Sequence, residues 1–368
     1  MKNKQTIFFL INSMENGGAE KVLSNILPPL SEDYNIFLIL LKNKIFYPLP
    51  SNITIVSLSN IRHNLLMLFL FPVYTLKLKK LIKKYKPTKI ISSLEISNFV
   101  NILINKQAII SFETSLFFFQ NSFIGKIYKK CILKLYPKAQ IIKVNSQENR
   151  LDLATKTSIP LRKIITIYNP INTEEISRLQ NKKVILPFTL RKNHKIFVTV
   201  GRLNALKNTT ALIQSFKKLP ENNILLIIGD GPEKNNLKRL ITRNQLQKQI
   251  FLLGRQKNVY KYLNIAHYFI FASMVEGFPN VLAEAMACNL PIITSDFKTG
   301  AREIIDPGLK FNKKIKYPYY GPNGVLLSLN NFKQDFLKVN FKKTKQKQIN
   351  LNKFELQKIT SQWKNILK

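Results

Sequence analysis

Short apolar runs alternate along this chain with mixed stretches of helical composition. Runs rich in β-branched and aromatic residues at 6–11 (TIFFLI), 35–41, 53–58, 89–94, 107–112, 140–145 and 164–168 predict buried strands, separated by helical or loop segments. A second set starts at 195–200 (KIFVTV) and continues at 224–228, 250–253, 268–272, 291–294 and 324–329. Strands alternating with helices predict parallel sheets covered on both faces, so the fold class is α/β. Residues 171–194 are polar and lack a clear period, which suits a linker. The expected organisation is a domain over 1–170, a linker over 171–194 and a second domain over 195–340. The Lys-rich tail, 341–368, is expected to end in a helix around Trp363 that crosses back to the first domain.

The stretch from Tyr268 to Glu303 carries the densest chemistry. An apolar strand ends at Ser273, a Gly-Pro loop follows, and Val-Leu-Ala-Glu-Ala-Met-Ala after Pro279 favours helix. Ligand crevices of open α/β sheets lie at the carboxyl ends of strands. That position here holds Glu276, a helix start and, one turn in, Glu284. A helix N-terminus suits phosphate, and ionised carboxylates accept hydrogen bonds from neighbouring hydroxyls. The spacing of two Glu alone equally describes two solvated charges; the strand–loop–helix setting points to a nucleotide sugar.

Gly201-Arg202-Leu-Asn-Ala-Leu-Lys207 places two cations just after a strand, within reach of one diphosphate, although two surface cations read the same way. Asn16-Gly17-Gly18 sits at the first strand–helix junction, where glycines serve either a tight turn or close approach to a bound group. Gly229-Asp230-Gly231 lacks the third glycine of a dinucleotide fingerprint, which counts against NAD. No Asp-x-Asp, His-x-x-x-His or cysteine cluster is present, so no protein-held metal and no cofactor are expected. His63, His194 and His267 have no triad setting.

The 368 residues suffice for two domains, and 45% hydrophobic content suits a globular chain. The formal net charge of +38 changes the picture of the surface. It fits an anionic partner, and it fits equally a composition rich in Lys, Asn and Ile. Residues 65–76 (LLMLFLFPVYTL) are apolar but shorter than a bilayer span and interrupted by Pro72, and they run into the lysine cluster 77–86. Leu116-Phe-Phe-Phe119 precedes Lys126, Lys129, Lys130 and Lys134. Both patches read as peripheral contacts with an anionic membrane surface or as buried helices with a solvated lysine face. Cys131 and Cys288 show no pairing or metal spacing, as expected in a reducing cytoplasm. The apolar run at 7–11 is too short for a signal peptide.

The segments VTVGRLNALKN, LLIIGDGPE, IFLLGRQKNV, FASMVEGFPNVLAEAMACNLPIITSD and GAREII, in this order over roughly 196–305, resemble the donor domain of family 4 glycosyltransferases. NGGAEKV, VNSQENR and YNPIN carry a looser likeness in the first half. The resemblance implies a GT-B fold, two Rossmann-like domains facing each other across a cleft, and metal-free transfer with retention. It implies Glu284 on the ribose hydroxyls and Glu276 on the donor sugar or leaving phosphate. Gly277, Phe278, Pro279 and Asn280 would line the sugar and diphosphate. Arg202 and Lys207 would stabilise the departing diphosphate, and Gly229, Gly254, Arg255 and Lys257 would lie near the base. Gly17 and Gly18 would close over the diphosphate. Many relatives carry a histidine on the acceptor side after the strand reading AIISF here; this chain has Glu113-Thr114, and Glu113 is either a replacement in acceptor binding or proton handling or a polar loop residue.

The expected activity is transfer of a hexose or N-acetylhexosamine from a nucleotide-diphosphate donor, UDP-linked, to a lipid-linked or cell-surface saccharide. The expected place is the cytoplasm, at the inner face of the cytoplasmic membrane. A nucleotide-sugar epimerase of the same fold is the alternative. A nucleic-acid-binding protein ranks last, because no such module is readable and the charge is spread through both halves.

Overall fold

A computed structural model describes residues 4–61, 66–119, 122–344 and 351–368; His63, Leu65 and part of the lysine-rich tail (345–350) lie outside them. The chain divides into two compact units, one of Met1–Pro170 with Lys353–Lys368 and one of Ile171–Asn352.

The first unit is built on a seven-stranded sheet: β1 Thr6–Ile11, β2 Asn35–Leu40, β3 Thr54–Ser57, β4 Lys89–Ser93, β5 Ile109–Phe112, β6 Ile141–Val144 and β7 Ile164–Thr166. Its order is β3-β2-β1-β4-β5-β6-β7, with every pairing parallel. The order reverses between β1 and β4, which opens the crevice of a doubly wound sheet there. Strands such as Ile7–Ile11 are apolar at consecutive positions because both faces are covered. One face packs against the Gly18–Ser31 helix and against Ile359, Trp363 and Leu367 of the C-terminal Leu356–Leu367 helix, whose indole lies 6.1 Å from the Phe9 ring. The described part of the 65–76 run is interrupted, breaking at Leu70 into helices Leu66–Phe69 and Phe71–Tyr85. Pro72 lies in the first turn of the second helix, where its missing N–H is not needed.

The second unit repeats the plan with β8 Lys195–Val200, β9 Asn223–Ile228, β10 Ile250–Gly254, β11 Tyr268–Phe271, β12 Ile292–Ser295, β13 Tyr319–Gly321 and β14 Gly324–Leu327. The order is β10-β9-β8-β11-β12-β14-β13, and only the β13–β14 pair is antiparallel. The three-residue β13 carries no apolar alternation, so the sequence pattern missed it. Helix Thr173–Gln180 lies in the stretch read as a linker. Asn172 caps it by accepting the Glu175 N–H at 2.9 Å, and two carboxylates in its first turn suit the helix dipole. The second unit also runs past 340, since Phe341 packs on Phe197, Tyr268 and Phe336.

Candidate functional site

The loops beyond β8 and β11 meet at the carboxyl end of the second sheet. After Gly201, the exposed Arg202 leads into a short 3-10 turn, Ala205–Lys207, capped by Asn204, whose side chain accepts the Lys207 N–H at 3.2 Å. The Met274 N–H donates to the Leu206 carbonyl at 2.8 Å, tying this turn to the β11 loop. The tie brings the Lys207 ammonium onto the Glu276 carboxylate and 5.3 Å over the Phe271 ring. Both side chains of the pair are partly buried, 22% and 14% exposed, so their attraction is poorly screened by water.

Loop 276–279 is held from below. The Thr299 hydroxyl donates to the Glu276 carbonyl, and Thr299 itself has φ +72°, a strained value for a β-branched residue. Gly300, at φ +107°, follows; a Cβ there would come 2.7 Å from Pro279 Cδ, so only glycine lets the Phe278–Pro279 turn settle. Pro279 caps helix Asn280–Ala287, which carries Glu284. The Tyr260 hydroxyl donates to Glu284 Oε1 at 3.3 Å. Burial and the Glu284 charge push the Cys288 thiol up to about 12.

Beside this, β8, β9 and β10 end at Gly201, Gly229 and Gly254. Gly229 donates its N–H to the Gly254 carbonyl at 2.9 Å, and a Cβ on it would lie 1.9 Å from the Gly201 carbonyl oxygen. The missing side chains leave a backbone-lined shelf, with Arg255 and Lys257 exposed at its end. Asp230 pairs with Lys234 at 2.9 Å, and that bond holds its carboxyl below the usual range. His267 serves the fold: its Nδ1 accepts the Ile196 N–H at 3.1 Å, and burial lowers its pKa. Gly277, Phe278, Pro279, Asn280, Arg202, Lys207, Glu276 and Glu284 thus belong to one region of the second unit.

Gly17, Gly18 and Glu113 belong to the first unit. Loop 15–18 is anchored by Glu15 on Lys42 at 2.7 Å and on Lys44 at 3.1 Å, and by the Tyr47 hydroxyl on Asn16 Oδ1 at 2.8 Å. Gly17 is followed by Glu20, whose carboxyl burial pushes up to about 7. Glu113, just past β5, accepts hydrogen bonds from Ser111, from the Lys143 ammonium at 3.0 Å and from Asn145 at 3.4 Å. Lys143 is fully buried on β6. Sequence reasoning passed over Glu95, the first residue of helix Glu95–Ile104 beyond β4. Burial, with the Glu113 charge adding, raises its carboxyl to about 7. Leu94 before it has φ +70°, a strained junction that no sequence signal marks. Among the described residues, no group of three His, Cys, Asp or Glu side chains is placed to hold a metal.

The two apolar–lysine patches also lie in the first unit. Helices Phe71–Tyr85 and Phe123–Leu135 both pack against Glu95–Ile104, with Phe71 and Tyr128 between them. Phe69, Leu76, Phe118 and Phe123 remain exposed, Phe123 at 80%. No helix of the described residues is long and apolar enough to cross a membrane.

The family described as "Glycosyl transferases group 1" matches residues 182–318. Over 309 residues, 82% of this chain and 83% of its own length, the N-acetylgalactosamine-N,N'-diacetylbacillosaminyl-diphospho-undecaprenol 4-alpha-N-acetylgalactosaminyltransferase of Campylobacter jejuni is 34% identical. Two solved structures share the whole fold. The apo lipopolysaccharide outer core galactosyltransferase WaaB covers 98% of both chains with a TM-score of 0.69 at 20% identity. Anabaena HepE in complex with UDP covers 99% of both with a TM-score of 0.70 at 18% identity.

Proposed function

We propose, from the premise that this chain belongs to the group 1 glycosyl transferases and is a GT-B glycosyltransferase, that it moves a hexose or N-acetylhexosamine from a UDP-linked donor to a lipid-linked saccharide with retention of configuration. The carrying observation is the Lys207–Glu276 pair beside Arg202 at the carboxyl end of the second sheet. In the reaction the bond between the sugar's anomeric carbon and the diphosphate oxygen breaks, and negative charge builds on the diphosphate. The Lys207 ammonium, exchanging Glu276 for phosphate oxygen, and the Arg202 guanidinium offset that charge, the kind of electrostatic stabilisation that usually dominates such steps. Glu276, released, accepts from a donor-sugar hydroxyl. Gly277, Phe278, Pro279 and Asn280 line sugar and diphosphate with backbone groups, and Glu284 takes the ribose hydroxyls. The shelf at Gly229 and Gly254, with Arg255 and Lys257, receives the base. Glu113, the acceptor-side position of the first unit, is engaged as the counter-ion of the buried Lys143 and serves the fold there. The relative's undecaprenol-diphosphate name and the UDP bound to HepE support the choice of acceptor and donor class.

The test is UDP release from UDP-sugars with and without an undecaprenyl-diphosphate-linked saccharide, with the product anomer read by NMR. Transfer requires the acceptor and yields the donor's anomeric configuration. Conversion of the donor to an epimeric UDP-sugar without acceptor and without net UDP release would identify an epimerase, and an inverted product would remove the retaining assignment.

The exposed apolar side chains beside lysines, Phe69 and Leu76 at the Phe71–Tyr85 helix and Phe118 and Phe123 at the Phe123–Leu135 helix, support a peripheral seat on anionic lipid at the inner membrane face. Each basic residue near such a surface contributes about 1 kcal/mol. Vesicles with anionic lipid should retain the protein at low salt, and the double substitution Phe118→Asp, Phe123→Asp should release it. Equal retention of variant and wild type would confine the contact to charge elsewhere.

A further inference from the structure

The Tyr260 side chain is 7% exposed, yet its hydroxyl reaches a carboxylate on another helix, Glu284 Oε1, at 3.3 Å. The short helix that carries it, Tyr260–Asn264, is pinned at its entry, where Asn258 Nδ2 donates to the Leu179 carbonyl at 2.8 Å. Helix Thr173–Gln180 packs against both Tyr260–Asn264 and Asn280–Ala287, so the phenol and the carboxylate are set by a common support. Burial, with the Glu284 and Glu175 charges adding, pushes the phenol far above its ordinary pKa. The hydroxyl therefore stays protonated at every working pH and acts towards Glu284 as a donor only.

A glutamate turns about three side-chain bonds, whereas two ribose hydroxyls ask for one fixed carboxylate plane. A donor hydrogen bond to one oxygen removes most of that freedom before the ligand arrives, which lowers the ordering cost of binding. We infer that Tyr260 is the positioning residue of the donor site, holding the Glu284 carboxylate in the plane that takes the ribose hydroxyls of the nucleotide. This rests on the reading of Glu284 as the ribose ligand.

The experiment is titration calorimetry of UDP, 2′-deoxy-UDP and 3′-deoxy-UDP against wild type and Tyr260→Phe, with donor KM and kcat alongside. Tyr260→Phe keeps the ring and removes one oxygen. It should weaken UDP binding and raise donor KM roughly three- to tenfold while kcat stays within about twofold. The affinity ratio of UDP to its deoxy analogues, large in wild type, should shrink in the variant. A Tyr260→Phe protein that discriminates as well as wild type would overturn the inference and leave Glu284 in place. A wild type that binds UDP and the deoxy analogues alike would instead overturn the Glu284 reading beneath it. Should Tyr260→Phe fail to fold, 3-fluorotyrosine at 260 keeps the hydroxyl and strengthens its donation; an unchanged ratio there overturns the inference as well.

Discussion

Replacing Glu113 by alanine should reveal whether this residue serves the acceptor or the fold. Its carboxylate is the ion-pair partner of Lys143, an ammonium on β6 with no exposed side-chain surface. Among the described residues, Asn169 Oδ1 at 3.5 Å and the Trp363 ring at 5.8 Å also lie near that ammonium, and neither carries a compensating charge. Breaking a buried pair by removing one partner costs about 3–5 kcal/mol, because a buried charge is left uncompensated. For a unit of this size that corresponds to a fall in melting temperature of about 6–20 °C. Glu113→Ala should therefore melt well below wild type in a thermal scan, and Glu113→Ala with Lys143→Met should recover most of the loss, since the second substitution removes the stranded charge. Transfer rates measured below the melting point would then fall by less than tenfold. A Glu113→Ala protein that melts within a degree or two of wild type but loses transfer a hundredfold would refute this reasoning and give Glu113 a direct acceptor role.

Three further outcomes follow from the geometry. Lys207→Met should lower kcat roughly 10²–10³-fold with a smaller change in donor KM, because the ammonium acts where charge develops; equal effects on both would point to ground-state binding alone. Gly229→Ala would force a Cβ to 1.9 Å from the Gly201 carbonyl at φ +146°, and should destabilise by about 2–4 kcal/mol and abolish UDP-induced stabilisation; a wild-type melt would show that β8 and β9 can part there. Glu95 and Glu20 are raised from 4.5 to about 7, so between these values the unfolded chain releases protons that the folded chain retains, and stability falls as pH rises. Glu95→Gln should then add on the order of 3 kcal/mol at pH 8 and almost nothing at pH 4.5, read by urea denaturation at both; a gain independent of pH would refute the assignment.

Much of this protein was legible before any coordinates. Period and composition are local properties, so strands such as Thr6–Ile11 and Lys195–Val200 emerged with their bounds intact, and the strand–loop–helix order around Glu276 and Glu284 matches the strand, loop and helix of the structure. Arg202 and Lys207 were singled out for the same reason, by their place just after a strand. The sequence by itself therefore determined the fold class, most of the elements and which residues of the second unit gather after its strands.

Other features depended on residues far apart in the chain. Lys143 reads in sequence as one polar position in a strand. It is buried because the Trp363 helix returns more than two hundred residues later to cover that face, and only then does Glu113 become its counter-ion. Tyr260 looks like an ordinary helix residue until Glu284 stands opposite its hydroxyl, and the pairing of Lys207 with Glu276 exists because the Leu206 carbonyl takes the Met274 N–H. Burial, charge compensation and hydrogen-bond geometry belong to pairs of residues that only the folded chain brings together, and they set which of the candidate groups touch, which titrate near neutrality and which are held still.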